Sequence, residues 1–70
     1  MNKKQKMFNL IARAVHELKE LGLDEDSAVT SILVGLKSCD AADVMNLSIL
    51  PVLLETLVEL KKEERAADLN

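Results

Sequence analysis

From Met7 to Leu21 apolar residues recur every three or four positions, the spacing of one helix face and not the alternation of a strand. At 100° per residue, Leu10, Leu21, Ala14, Met7, Leu18, Ile11, Val15 and Phe8 fall within an arc of about 160°. Arg13, His16, Glu17, Glu20 and Asn9 occupy the other side. A stripe this broad has to be covered by other apolar surface, so helix faces must build the fold.

The punctuation predicts four helices, over residues 3–21, 25–38, 41–47 and 49–67. Gly22 suits the left-handed position just past the first helix, and Leu23 can fold back on Leu18. Asp24 is placed to cap the second helix with its carboxylate, and Glu25 and Asp26 add negative charge where the helix dipole favours it. Ala28, Val29, Ile32, Leu33, Leu36 and Cys39 share a face there, while Val34 falls on the polar side. Gly35 borders that face, where a missing side chain either permits close helix approach or simply weakens the helix on its way to Cys39. Asp40 and Asp43 form a capping-box-like start for the third helix. Ser48 reads as the cap of the last, with Pro51 in its first turn and Leu47 and Val52 as a hydrophobic staple. Along that helix Ile49, Leu60, Leu53, Leu57, Leu50, Leu54 and Val58 cover about 180°.

Composition agrees. Hydrophobic residues make up 49% of the 70, yet Phe8 is the one aromatic, and there are two Gly and one Pro. Disordered chains lack such hydrophobic content, and an all-β domain would need β-branched and aromatic strands separated by turn residues. The expected fold is a single all-α domain over residues 1–70, a small helical bundle of two long and two short helices.

Size then points to assembly. A core in a chain under about 70–80 residues rarely suffices without a staple, and one cysteine, Cys39, makes no internal disulfide. The two long apolar arcs are wider than a single antiparallel contact would cover. Homodimerisation is therefore expected to complete the bundle. Phe8, Ile11, Val15 and Leu18 follow 3-4-3 spacing, as do Leu50, Leu53, Leu57 and Leu60. These eight residues are the expected core or self-association seam. Val34 is the candidate outward contact to a partner, although a single exposed valine is ordinary.

Chemistry-bearing patterns are sparse. His16 and Glu20 lie one helical turn apart, but a zinc site needs three or four ligands and no second His or Cys cluster supplies them. A solvent-facing pair is the expected reading, and neither metal nor cofactor is expected. Cys39 lies on the buried side of its helix beside Asp40, which disfavours a thiolate. Asp24 to Ser27 lacks the glycine and distal glutamate of a calcium loop, and no glycine-rich phosphate loop occurs. No catalytic residue is assigned, and an enzyme is not expected.

Nine Lys and Arg against twelve Asp and Glu give a net charge of -3, a poor attractant for a polyanion. The second helix offers one outward base, Lys37, and the third none, so nucleic-acid recognition is the weakest reading. Lys3, Lys4, Lys6 and Arg13 are the candidate anion contacts. The stretch 47–60 is too short and too charged to span a bilayer, and the segment 7–15 is interrupted by Asn9 and Arg13 and does not read as a signal peptide. With a lone cysteine, a cytoplasmic location is expected. The resulting reading is a non-enzymatic, self-associating helical protein that binds another protein as adaptor, regulator or inhibitor. The alternative is an oligomer that sequesters a small anionic molecule.

Overall fold

A computed structural model describes residues 2–69, with side chains for residues 2–67. It contains four helices: α1 Lys3–Glu20, α2 Glu25–Lys37, α3 Ala41–Val44 and α4 Leu50–Leu69. No strand occurs among the described residues.

The start of α1 depends on Asn2. Its first turn holds no acidic residue to complement the dipole, and Lys3 and Lys4 place positive charge there. The Asn2 side chain accepts from the Gln5 N–H at 2.8 Å, and its carbonyl accepts from Lys6 at 3.1 Å. The signal was present in the sequence, since asparagine is among the preferred caps. At the other end Leu21 is the cap residue and Gly22 N–H donates to the Lys19 carbonyl at 3.0 Å. Gly22 has φ +102°, as its place past the helix end predicts. Leu21 and Leu23 are half-buried against the core.

A Cβ at Gly22 would sit 3.2 Å from Nη2 of Arg65. The guanidinium can move; the backbone conformation is the harder constraint. Gly22→Ala is therefore expected to cost about 1–2 kcal/mol, read as a lowered urea midpoint at unchanged slope. An unaltered midpoint would show that the turn relaxes to another conformation at no cost.

Of the next two helix starts, one differs from the expectation and one agrees with it. Asp24 has the extended backbone of a cap and its carbonyl accepts from Ala28 at 3.0 Å, but its carboxylate makes no capping hydrogen bond. Glu25 and Asp26 in the first turn and Lys37 in the last complement the dipole of α2. At α3, Asp40 does cap, accepting from Ala42 N–H at 2.9 Å.

The larger correction concerns the α3–α4 junction. The third helix stops at Val44 and does not reach Leu47, because Asn46 reverses the chain. Its Oδ1 accepts from Ser48 N–H at 2.9 Å, and its carbonyl accepts from Ile49 at 3.1 Å and Leu50 at 2.8 Å. Helical bonding toward α4 thus begins at Asn46, and Ser48 is a donor in that turn, not the cap. The staple fails with it. Val52 is 60% exposed on the outer face of α4, while Leu47 is half-buried near Leu10 and Pro51.

α1 packs against both α2 and α4, which meet each other more narrowly. Among the described residues the buried core is Ala14 and Leu18 from α1, Ala28 and Ile32 from α2, and Leu50, Leu54 and Val58 from α4. Every one of these sets steps by four. Rows at i and i+4 form the ridges by which globular helices most often interlock. The meeting of α2 and α4 is tight at one point. A Cβ on Gly35 would lie 2.4 Å from Cδ2 of Leu57, so the missing side chain is what allows the approach. No charged or polar residue is buried among the described residues, and no helix there is long and apolar enough to cross a membrane.

Candidate functional site

Among the described residues, two of the apolar surfaces left open lie in clefts between helices. The first is a groove between α1 and α2. Its floor is Ile32, 1% exposed, and its walls are Ile11 and Val15 with the more exposed Phe8, Val29 and Leu33. Phe8 is 70% exposed and Leu33 54%. The open volume is ≈ 360 Å³, with His16, Lys19 and Glu25 on the rim. α1 and α2 run antiparallel because a short turn, residues 21–24, joins them. The Phe8 stripe therefore lies alongside the Leu33 stripe, and both project from the same side.

The second surface lies between α2 and α4. Val34 and Leu60 stand 59% and 56% exposed there, with Gly35, Leu57, Thr30 and Ser31 between and beside them. Its volume is ≈ 330 Å³. Lys61 and Glu64 at its edge pair with each other at 3.3 Å, which leaves that edge close to neutral.

The residues of the expected seam are therefore dispersed. Leu18 and Leu50 are in the core, Ile11, Val15, Leu53 and Leu57 are half-buried, and Phe8 and Leu60 are exposed. Ile11, Val15 and Phe8 belong to the α1/α2 groove, Leu57 and Leu60 to the α2/α4 surface. Val34, set apart in the sequence because it stands on a polar side, belongs to that second surface.

The candidate anion contacts separate as well. Lys6 and Arg13 share a depression with Asn9, Leu10, Leu47 and Pro51. Lys4 projects from the other side of α1, four residues before Phe8. Arg13 also borders a hollow against α4 that contains Glu17, Glu55 and Glu59 as well as Lys62. Carboxylates beside the guanidinium compete with any incoming anion.

Elsewhere the polar chemistry is local. His16 Nε2 meets Glu20 Oε1 at 3.0 Å, both side chains about 70% exposed. Among the described residues no group of three His, Cys, Asp or Glu is placed to hold a metal ion. The hydroxyl of Ser38 donates to the Val34 carbonyl at 3.2 Å, and that of Thr56 to Val52 at 2.9 Å. Cys39, expected to be buried, is half-buried, and its thiol donates to the Gly35 carbonyl at 3.4 Å. These are bonds that finish helix turns. Lys62 pairs with Glu59 at 3.2 Å, so the basic pair at 61–62 is neutralised within α4.

Compared with known protein families, characterised proteins and solved structures, the chain finds no match.

Proposed function

We propose that the chain is a non-enzymatic helical protein that associates with itself and binds another protein, acting as an adaptor, regulator or inhibitor. One observation carries this reading: Phe8, Val29 and Leu33 on one side and Val34 and Leu60 on another stand exposed on two separate surfaces. Isolated exposed apolar residues are ordinary, but grouped ones beside a formed groove mark interaction sites. A two-fold dimer buries the same patch on both copies, which uses one surface and leaves the other. The remaining surface suits the apolar stripe of a helix from a different protein. The separation of Lys4 from Lys6 and Arg13 gives the anion-sequestering alternative no comparable support.

Sedimentation equilibrium of the purified chain at micromolar concentration is expected to give twice the 7.7 kDa monomer mass. A monomer would overturn the self-association. For the second surface, Val34→Glu combined with Leu60→Glu changes side chains already in water and so leaves the bundle folded. The doubly substituted chain is expected to remain a dimer and to lose a polypeptide that co-purifies with the wild type from its host. Retention of that polypeptide, or a wild type that brings none down, would refute the adaptor role.

A further inference from the structure

We infer that the α1/α2 groove is the surface on which a second copy of this chain docks, in a two-fold arrangement that sets the Phe8 end of each groove against the Glu25 end of the other. The inference rests on the self-association proposed above and names the face responsible for it.

Three observations favour a second copy over another occupant. The first is area. A monomer of 7.7 kDa ordinarily exposes about 4,300 Å², whereas this chain exposes 5016 Å². The difference, about 700 Å² over the whole chain, is the order of surface that each partner gives up in a standard interface, roughly 800 Å². The second is composition. Phe8 is the chain's one aromatic residue and stands 70% exposed at one end of the groove, and aromatic side chains are enriched at interfaces over the rest of the surface.

The third is charge, and it selects the geometry. Lys4 lies one turn before Phe8 on α1, and Lys37 one turn after Leu33 on α2. Both are exposed, so the groove end far from the connecting turn is basic. At the near end Glu25 and Asp26 open α2 and outnumber Lys19. A two-fold axis across the middle of the groove superposes basic end on acidic end twice over. A parallel stacking would set like charges together, which costs affinity and misdirects encounter. Along the groove the apolar walls meet, with each Phe8 directed toward the Val15 and Val29 of the other copy.

The α2/α4 surface lacks that polarity, because Lys61 and Glu64 cancel each other at its edge. It is the less suited of the two to self-recognition.

The test uses the full chain. Phe8→Asp alters a side chain in contact with water, so the helical circular dichroism should persist while the dimer dissociation constant rises about 100-fold. A second measurement does not depend on Phe8. Two variants are made, one with Lys4→Glu and Lys37→Glu, the other with Glu25→Lys and Asp26→Lys. Each alone carries one sign of charge at both groove ends and should dimerise about 10-fold or more weakly than the wild type. Mixed in equal amounts they should form a heterodimer of wild-type strength. A wild type that is dimeric, with dimers unchanged by Phe8→Asp and no preference for the mixed pair, would overturn this face while leaving self-association intact. A monomeric wild type would overturn both.

Discussion

Replacing Leu54 by alanine is expected to remove about 2–5 kcal/mol of stability, while the same change at Leu60 should remove less than about 1 kcal/mol. Leu54 is 4% exposed and sits between Leu50 and Val58 in the α4 row that faces the core. Truncation there loses the transfer energy of the side chain and leaves a cavity that neighbours on three helices fill only in part. Leu60 is 56% exposed, so its methyl groups are already largely in water. A domain of 70 residues holds about 4–10 kcal/mol in total, and the first change therefore consumes about half of it. Urea unfolding at one fixed protein concentration is the measurement, because association adds a concentration-dependent contribution. Equal losses at the two positions would place the core on the 3-4-3 row instead.

That contrast marks where the sequence stops being legible. Periodicity located α1, and the fit of Gly22 to a left-handed turn located its end, because both depend on residues adjacent along the chain. The inward face of α4 does not. Its apolar arc spans about 180° and contains two usable rows, Leu50-Leu53-Leu57-Leu60 and Leu50-Leu54-Val58. Which row turns inward depends on where α1 and α2 sit, and here both present rows that step by four, Ala14-Leu18 and Ala28-Ile32. Ridges of the same type interlock, so the second row is buried. The junction failed for a different reason. Asn46 and Ser48 are comparable caps, and only the observed hydrogen bonds, with Asn46 accepting from residues 48 to 50, decide between them.

The candidate site was legible as an excess and not as a place. Broad stripes on α1 and α4 foretold uncovered apolar surface, and Val34 was singled out by its position on a polar side. The groove itself needed α1 and α2 side by side, which brings Phe8, Ile11 and Val15 next to Val29 and Leu33. In the sequence Val29 and Leu33 share a face with Ala28 and Ile32 and carry no sign of exposure. They are 38% and 54% exposed because α1 covers only one edge of α2 and none of the described residues covers the other side of the groove.

Gly35 offers the sharpest test of how α2 and α4 are joined, because the expected effect of one substitution changes sign with its neighbour. Alanine in mid-helix is favoured over glycine by about 1 kcal/mol. At this position, however, the added Cβ would lie 2.4 Å from Cδ2 of Leu57, 2.7 Å from Cδ1 and 3.1 Å from Cγ. Turning the isopropyl group about its own bond moves the two methyls but not Cγ, which at 3.1 Å must still give way by a few tenths of an ångström. The leucine must leave its rotamer or the helices must separate, at about 1–3 kcal/mol. Gly35→Ala alone is thus expected to destabilise the protein by about 1 kcal/mol net, and the larger, β-branched Gly35→Val by about 2–3 kcal/mol. Leu57→Ala removes all three of the crowding atoms. In that background Gly35→Ala should gain its helical preference unopposed and stabilise by about 1 kcal/mol. The resulting coupling of about 2 kcal/mol is well beyond the error of additivity. Gly35→Ala effects of equal sign and size in both backgrounds would show that the two helices do not meet at this pair, and that glycine at position 35 merely weakens α2.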